Sequence, residues 1–372
     1  MARCLGSHGG DGRFLGLDRP GERAAAKGVR IYGPNANAAQ DLEPEGITVS
    51  GPRAYVTLQE NNAIAVVDIS SAQVLAINAL GGKDHSVPGA GLDPSDRDGP
   101  AFKIANPRVQ GMYQPDGIAS FAHRGEVFLI TANEGDSRVY PTSDGALPGF
   151  GEGDIFNEEV RVGSSDYPLD AGAFPDALQL KDGANLGRLT VTNQLGDADG
   201  DGDYDSIHVF GARSVSVWKA SGTGRRQVLP LAPVWDSGED LERITAAALR
   251  DVSNSNNDEV ALDNRSDNRG PEPEGIAVAR VAGRRYAFVG LERIGRIATY
   301  DITTPHAPVC VDYVNSRDFT TDVAGDSGPE GIEFIAAHDS PTNTPLLLVG
   351  NEISKTVAVF DVVRTRTRAT CP

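Results

Sequence analysis

Four times in this chain a short turn ending in an acid and a glycine opens an apolar run. Leu42 to Val49 reads LEPEGITV, Gln114 to Ala119 reads QPDGIA, Gly270 to Ala279 reads GPEPEGIAVA and Gly328 to Phe334 reads GPEGIEF. Proline and glycine punctuate regular structure, and the alternating apolar residues behind them read as strands, so each copy is a turn feeding a strand. Three copies continue alike, with a second apolar run ending in an acid and a third ending near Asp. The first is PEGITVS, AYVTLQE, AIAVVDIS; the third PEGIAVARV, RRYAFVGLE, GRIATYDIT; the fourth PEGIEFIA, PLLLVGNE, KTVAVFDV. These are three-stranded antiparallel meanders. The second copy, PDGIASFA then EVFLITANE, loses its third strand under the polar insertion GDSRVYPTSDGALPGFGEGDIFNE. A further hairpin is expected in YDSIHVFGARSVSVWKA.

Repeated antiparallel meanders separated by roughly 40 to 60 residues are the sequence sign of a β-propeller, whose blades hide their sheet edges by radial packing. A sandwich has no reason to repeat a turn ahead of each unit's first strand. The 43 Gly and 23 Pro in 372 residues also favour many short elements over long helices. The expectation is an all-β chain of about five blades, with Ile47, Val49, Ile276, Val278, Ile332 and Phe334 on innermost or core-facing strands. A single propeller domain spans 13–361, with insertions near 83–112 and 135–160, an unrelated start at 1–12 and a tail at 362–372. One helix is expected in SGEDLERITAAALRD, where Ser237 and Asp240 have capping-box spacing.

In a meander the start of the first strand and the end of the second lie at one end of the sheet, and in a propeller the first strands line the central channel. Both acids of every blade are therefore expected at one mouth. The first set is Glu45, Asp116, Glu274 and Glu330; the second is Glu60, Glu134, Glu292 and Glu352. So many like charges raise one another's pKa values unless cations intervene. Cations follow at short spacing: Arg138 comes four residues after Glu134 in NEGDSR, beside Asp136; Arg293 and Arg296 follow Glu292 in LERIGR; Lys355 comes three after Glu352. Two readings stand open. These are internal salt bridges tying blades together, or carboxylates and arginines form a site for a second divalent metal with an anionic group.

The run DADGDGDYD places Asp197, Asp199, Asp201, Asp203 and Asp205 at alternate positions, with Gly200 and Gly202 between them. It matches the first half of an EF-hand loop, in which alternate oxygens face one ion. Position twelve is His208 where a bidentate Glu is required. The loop reads as a calcium site of another kind, with Asp197, Asp199 and Asp201 converging, against the alternative of a solvated acidic turn. Two further acidic turns, LDPSDRDG with Asp93, Asp96 and Asp98 and LDNRSDNRG with Asp263 and Asp267, read as turns capped by their own side chains. His85 and His123 have no recognisable nucleophile beside them. No GxSxG, HExxH or phosphate-cradling loop is present.

Fifty-two Asp and Glu against 34 Lys and Arg give a net charge of −18. That opposes nucleic-acid or anionic-membrane partners and invites cations, calcium foremost. No apolar run approaches the ~18 residues of a membrane span, and MARCLGSHGGDGRFLG lacks the apolar core of a signal peptide. Cys4, Cys310 and Cys371 have no zinc-type spacing. Whether Cys310 and Cys371 pair stays open at this point.

The segments AKGVRIYGP, DLEPEGITVS, AYVTLQENNAIAVVDI, TANEGDSR, ANLGRLTVTNQLGDADGDGDYD, FGARSVSVW, DSGEDLERIT, PEPEGIAV, YAFVGLERIGRIATYDIT and GPEGIEFI, from about Gly12 to Asp361, resemble the choice-of-anchor I family. That family comprises secreted or surface bacterial proteins. It is similar to mesenchyme-specific cell surface glycoproteins of biomineralising animals and includes members described as alkaline phosphatases. The resemblance implies an extracellular, cell-surface or periplasmic setting and an N-terminally truncated seven-bladed propeller. It carries the family's acidic motifs onto Glu45, Glu60, Glu134, Asp136, Arg138, Glu274, Glu292 and Glu330. Two functions follow as expectations. One is a calcium-stabilised surface module binding an anionic or metal-associated ligand, with cell-surface or extracellular matrix components as partners. The other is a metal-dependent phosphoesterase in which Arg138, Arg293 or Arg296 steadies the transition state.

Overall fold

A computed structural model describes residues 28–33, 36–141, 155–220, 230–363 and Cys371. The expected start at 1–12, Cys4 and most of the tail lie outside the described residues. After a one-turn helix α1 (Ala38–Asp41), capped by the Asn37 side chain, the first repeat makes a four-stranded antiparallel sheet. Its strands β1 (Pro44–Ser50), β2 (Arg53–Leu58), β3 (Ala63–Asp68) and β4 (Gln73–Ala79) lie in chain order, a fourth strand beyond the meander expected from sequence.

The chain continues through β5 (Gly82–Asp84) and β6 (Gln110–Met112) into the second repeat, β7 (Ile118–His123) and β8 (Glu126–Asn133). The third strand of this repeat is not lost; it is postponed. Between β8 and its return the chain makes β9 (Val139–Pro141), paired with β10 (Ile155–Asn157), then β11 (Glu159–Arg161), a short helix α2 (Ala177–Leu180), β12 (Thr190–Thr192) and β13 (His208–Val209). Strands β11, β12 and β13 join β6 and β5 in a five-stranded sheet, in which β13 runs parallel to β6. Only then does β14 (Ser214–Ala220) pair with β8, from Ser214 opposite Asn133 to Ala220 opposite Val127, and β15 (Ala232–Asp236) completes the sheet.

The hairpin expected across Tyr204 to Ala220 is therefore corrected, because its two arms belong to different sheets. The reason is a backbone crossing at two glycines. A Cβ at Gly135 would sit 2.1 Å from the Gly211 nitrogen, and one at Gly211 would sit 2.0 Å from the Glu134 carbonyl. The excursion thus leaves and re-enters at one point, and β14 finds β8 although about 80 residues intervene.

Helix α3 (Asp240–Leu249) forms where expected and buries Leu241 and Ile244. Its capping box does not form: Ser237 Oγ accepts instead from the Val215 N–H at 2.9 Å, since Ser237 belongs to the sheet margin. The third repeat is β16 (Pro273–Val281), β17 (Arg284–Leu291), β18 (Arg296–Asp301) and β19 (Val309–Asn315). The fourth is β20 (Pro329–Ile335), β21 (Leu346–Asn351) and β22 (Thr356–Asp361). The chain is all-β in class. The described residues hold four meander-type sheets, together with the mixed five-stranded sheet and the β9–β10 pair.

Apolar faces join the four meander sheets in chain order. Tyr55, Ile64 and Val66 of the first pack with Ile118, Leu129 and Trp218 of the second. Phe128, Ile130 and Val217 of the second pack with Ala287, Val289 and Tyr300 of the third. Phe288 and Ile297 of the third pack with Leu347 and Val349 of the fourth. Burial of these side chains, worth about 1.5–3 kcal/mol each, binds the series. Ile276 and Val278 pack into the second core, and Ile332 and Phe334 into the third. Ile47 and Val49 differ: both are exposed, because no further sheet covers β1 on that side among the described residues. Cys310 and Cys371 form a disulfide with Cα atoms 5.5 Å apart, pinning the chain's end to β19.

Candidate functional site

The recurring turn has a mechanical role. In the first, third and fourth repeats the pairing register slips at the turn, between Pro44 and Ile47, Pro273 and Ile276, and Pro329 and Gly331. Each slip is a bulge that re-aims the acid's neighbourhood. Two residues before the acid, Gln114, Glu272 and Gly328 all adopt positive φ, at 39°, 49° and 74°. Their carbonyls accept from the end of the second strand: Gln114 from Gly135 N–H, Glu272 from Glu292 N–H and Gly328 from Glu352 N–H, at 3.1, 2.9 and 2.8 Å. Strand start and strand end are thereby tied together.

The glycine after each acid is a slot for the next repeat. A Cβ at Gly46 would lie 2.5 Å from the Asp116 carbonyl, one at Gly117 2.1 Å from the Glu274 carbonyl, and one at Gly275 1.9 Å from the Glu330 carbonyl. Only glycine permits this backbone contact. Among the described residues nothing lies within 4 Å of a Cβ at Gly331, the last glycine of the nested series.

This nesting collects acids. One carboxylate oxygen each of Asp116, Glu134 and Glu274 lies within 4.8 Å of the others, and Glu134, Glu272 and Glu292 form a second such group. Gln59 Nε2 donates to Glu134 at 2.7 Å and Asn257 Nδ2 to Glu292 at 2.8 Å. Oε2 of Glu274 and Oε2 of Glu60 are buried without a hydrogen-bond partner among the described residues. Burial first, and then Glu274, Glu272 and Glu292, hold the Glu134 carboxyl well above its ordinary range. Glu274 is raised by burial and by Glu292 and Asp116. Burial and neighbouring acids push Asp116 to about 6, Glu292 to about 7 and Glu60 to about 8. Glu45, Glu330 and Glu352 are exposed at the margin: burial and Glu43 raise Glu45, Glu330 raises Asp116 and Glu274, and Glu352 raises Glu292.

Glu272 is the exception. It is fully buried, and burial alone would raise it, yet Arg265, Arg293 and Arg269 hold it well below the usual carboxylate range. Arg293 Nε donates to Glu272 at 2.8 Å and lies 3.0 Å from Glu292, Arg265 Nε donates to Glu272 at 3.0 Å, and Arg269 pairs with Asp136 at 2.6 Å. The arginines therefore pair with Glu272 and, through Arg293, with Glu292, whereas among the described residues no arginine forms an ion pair with Asp116, Glu134 or Glu274.

Two expected cations stand elsewhere. Arg138 pairs with Asp41 and Glu43, each at 2.8 Å, and its guanidinium carbon lies 4.4 Å from the Tyr32 ring centroid. Of the two readings left open, it takes that of an internal tie. Arg296 does not join these acids: it begins β18 and stacks on Tyr313, 4.6 Å from that ring's centroid, because Ala298, two residues on and on the same face, is Tyr313's cross-strand partner. Lys355 is exposed.

In the Asp197–Asp205 loop, Asp197 accepts from Gly200 and Gly202 N–H at 2.7 and 3.1 Å, and Asp205 from Ala198 N–H at 2.8 Å. The converging group is Asp197, Asp199 and Asp205, within 4.8 Å of one another. Asp201, expected in it, turns instead toward the Asp203 N–H at 3.1 Å, and Asp203 is raised by desolvation and then by Asp201 and Asp170. This corrects the expected trio, as the loop closes on its last residue.

Sequence reasoning missed Glu43, Glu272, Arg265 and Arg269. The first two had a signal: both stand two residues before the repeat acid, in LEPEG and PEPEG. The arginines had none, since they arrive from the α3–β16 connection. A cavity of about 440 Å³ lined by Arg30, Tyr32, Met112 and His208 includes none of the mouth acids.

A family model, the choice-of-anchor I domain, matches residues 11–305. Gigasin-3a of Magallana gigas is 30% identical over 194 residues, 48% of this chain and 65% of that protein. A mesenchyme-specific cell surface glycoprotein of Strongylocentrotus purpuratus is 28% identical over 322 residues, 78% of this chain and 40% of that protein. The chain thus spans less than two thirds of the length of either relative. A solved structure from Lactobacillus plantarum is 15% identical, with a TM-score of 0.31 over 87% of this chain and 68% of that one. The fold rests on the strand pairing above and not on that likeness.

Proposed function

Because this chain belongs to the choice-of-anchor I domain family, we propose that it is a cell-surface or extracellular binding module whose four nested sheets are blades of a β-propeller. Its mouth takes a divalent cation together with an anionic ligand. The observation that carries this reading is the group of Asp116, Glu134 and Glu274, which has no arginine ion pair among the described residues, beside a flank supplied with arginines. Buried carboxylates without a cation are costly, and a hard divalent ion with oxygen ligands relieves that cost. Arg293 uses Nε for Glu272, so its outer edge can receive the anion. The open slot at Gly331 is the place where a further repeat would nest. The disulfide supports an oxidising compartment, in keeping with the cell-surface name of the sea-urchin relative.

Calcium at the Asp197–Asp205 loop is a separate part of the proposal, supported by three converging carboxylates in an exposed turn. Phosphoesterase chemistry is the second reading, favoured by Arg293 lying beside the metal-type group; Asp116, Glu134 and Glu274 would hold a divalent ion, which would supply Lewis-acid activation of water for hydrolysis of a phosphate ester. Calorimetric titration of the chelator-treated full chain with calcium, then with calcium plus inorganic phosphate, tests the main reading. Glu274→Gln should abolish the mouth site and the phosphate response with it. Unchanged binding in that variant would remove the mouth from consideration. Hydrolysis of a chromogenic phosphate ester, lost in Glu274→Gln, would move the assignment to the enzyme.

A further inference from the structure

The two acidic turns whose sequences read as self-capped meet in space. LDPSDRDG lies between β5 and β6, and LDNRSDNRG between α3 and β16. On one side of the meeting Arg188 holds both turns, donating to Asp96 at 2.9 Å and to Asp267 at 2.9 Å. On the other side one oxygen each of Asp93, Asp98 and Asp263 lies within 4.8 Å of the others. No arginine reaches these three among the described residues. Arg213, the nearest buried guanidinium, is taken by Glu242 and by the carbonyls of Asp93, Ser266 and Asn268. Lys103 reaches Asp98 Oδ2 at 3.3 Å from a side chain that is 65% exposed.

The cluster has oxygens to spare. Asp263 is 4% exposed; its Oδ1 accepts from Ser266 Oγ, and its Oδ2 is buried with no hydrogen-bond partner among the described residues. The Asp98 side chain is 5% exposed, and its Oδ1 is likewise buried with no hydrogen-bond partner among the described residues. Asp93 is fully buried and receives the Ser95 and Lys103 N–H groups. Burial first, then neighbouring acids including Glu242, push Asp93 to about 8 and Asp263 to about 7. Two carboxylate oxygens with no partner among the described residues, beside a third carboxylate and with arginines spent on either side, form a donor set that a cation would satisfy.

We propose that Asp93, Asp98 and Asp263 form a calcium site that staples the β5–β6 loop to the α3–β16 connection, independent of the mouth and of the Asp197–Asp205 loop. The all-oxygen donor set suits a hard cation. Oxygens within 4.8 Å of one another can share one ion, and calcium, with its flexible shell of six to eight oxygens at about 2.3–2.6 Å, accepts carboxylates from separate turns more readily than magnesium, which demands a near-ideal octahedron. Backbone carbonyls or water would complete six to eight ligands. The role is structural: the first turn also reaches the excursion, through Ser95 Oγ to the Gly183 carbonyl at 2.6 Å, so the ion would fix the excursion against the third repeat.

The test uses the full chain, treated with EDTA, dialysed against calcium and assayed for bound metal by atomic absorption. Asp98→Asn should lose one equivalent of calcium relative to the parent, and Asp263→Asn the same equivalent. Asp199→Asn should keep it. The melting temperatures should also cross. In EDTA, Asp98→Asn removes repulsion and should melt at least about 2 °C above the parent; in calcium it should melt below it by a similar amount. Equal calcium counts in the parent and both variants would overturn the proposal. So would an Asp98→Asn shift of the same sign and size in EDTA and in calcium.

Discussion

The Asp197–Asp205 loop and the mouth group of Asp116, Glu134 and Glu274 each bring three carboxylates within 4.8 Å, by opposite means. The loop does so within nine residues, and its own turn supplies the Gly200, Gly202 and Ala198 N–H donors. The mouth draws Asp116 and Glu134 from the second repeat and Glu274 from the third, and holds them by backbone contact at Gly117. Water can serve the exposed loop whether or not an ion is bound. At the mouth Glu134 is buried and Asp116 and Glu274 are half-buried, so water serves them less and the fold bears their mutual repulsion. Local acidity alone is weak evidence for a bound ion, and acids gathered by the fold against their own electrostatics are stronger.

The largest effect should come from the contacts that build the mouth. Gly275→Ala places a Cβ against the Glu330 carbonyl, where 1.9 Å is available, and should cost at least about 3 kcal/mol in urea unfolding. Gly200→Ala in the loop has open space and only its φ of 78° against it, so about 1 kcal/mol is expected. Gly331→Ala, with nothing within 4 Å, should stay within about 0.5 kcal/mol. A Gly275→Ala loss no larger than that at Gly200 would break the contrast.

Next in size is neutralisation of a mouth acid. Glu274→Gln should stabilise the EDTA-treated protein by about 1–3 kcal/mol and remove the stabilisation that calcium gives the parent. The pH dependence follows from the same groups. Asp116, Glu292 and Glu60 titrate near 6, 7 and 8 when folded, against ordinary carboxylate values near 4 when unfolded. Between those limits the folded chain binds more protons, so metal-free stability should fall as pH rises from about 4 to about 8. Thermal unfolding across that range should show the decline in EDTA, and calcium should flatten it. A metal-free stability that rises with pH would contradict the assignment of these groups.

Much of this was legible in the sequence, for reasons that differ by element. Apolar alternation behind each PEG-type turn marked β1, β16 and β20, and antiparallel geometry sent Glu274 and Glu292 to one end of their sheet. What failed was non-local. Nothing in YDSIHVFGARSVSVWKA tells that β13 and β14 part at Gly211, because the Gly135–Gly211 crossing joins residues far apart in sequence. Spacing put Arg138 beside Glu134, whereas its position was decided by Asp41 and Glu43 across the fold. Arg265 and Arg269 reach Glu272 from a connection with no periodic pattern, and only three dimensions bring them there.

A stability effect as small as that at Gly331, and the cleanest separation of the two clusters, should come from Asp199→Asn. Asp199 is exposed, and the hydrogen bond its side chain accepts, from Asp201 N–H, is long at 3.3 Å. Its loss should therefore move metal-free stability by no more than about 0.5 kcal/mol. The base of the loop is held independently of any ion, by Tyr204 stacked on buried Tyr167 with ring centroids 3.8 Å apart and by the Asp205 N–H donating to the Gly196 carbonyl at 2.8 Å. Calcium affinity should respond instead, because one of three converging carboxylates is gone, and a decrease of about tenfold or more is expected by calorimetry. An unchanged affinity would mean that the loop is a hydrated acidic turn. A large fall in metal-free stability would mean that the loop, like the mouth, is held by contacts beyond its own nine residues.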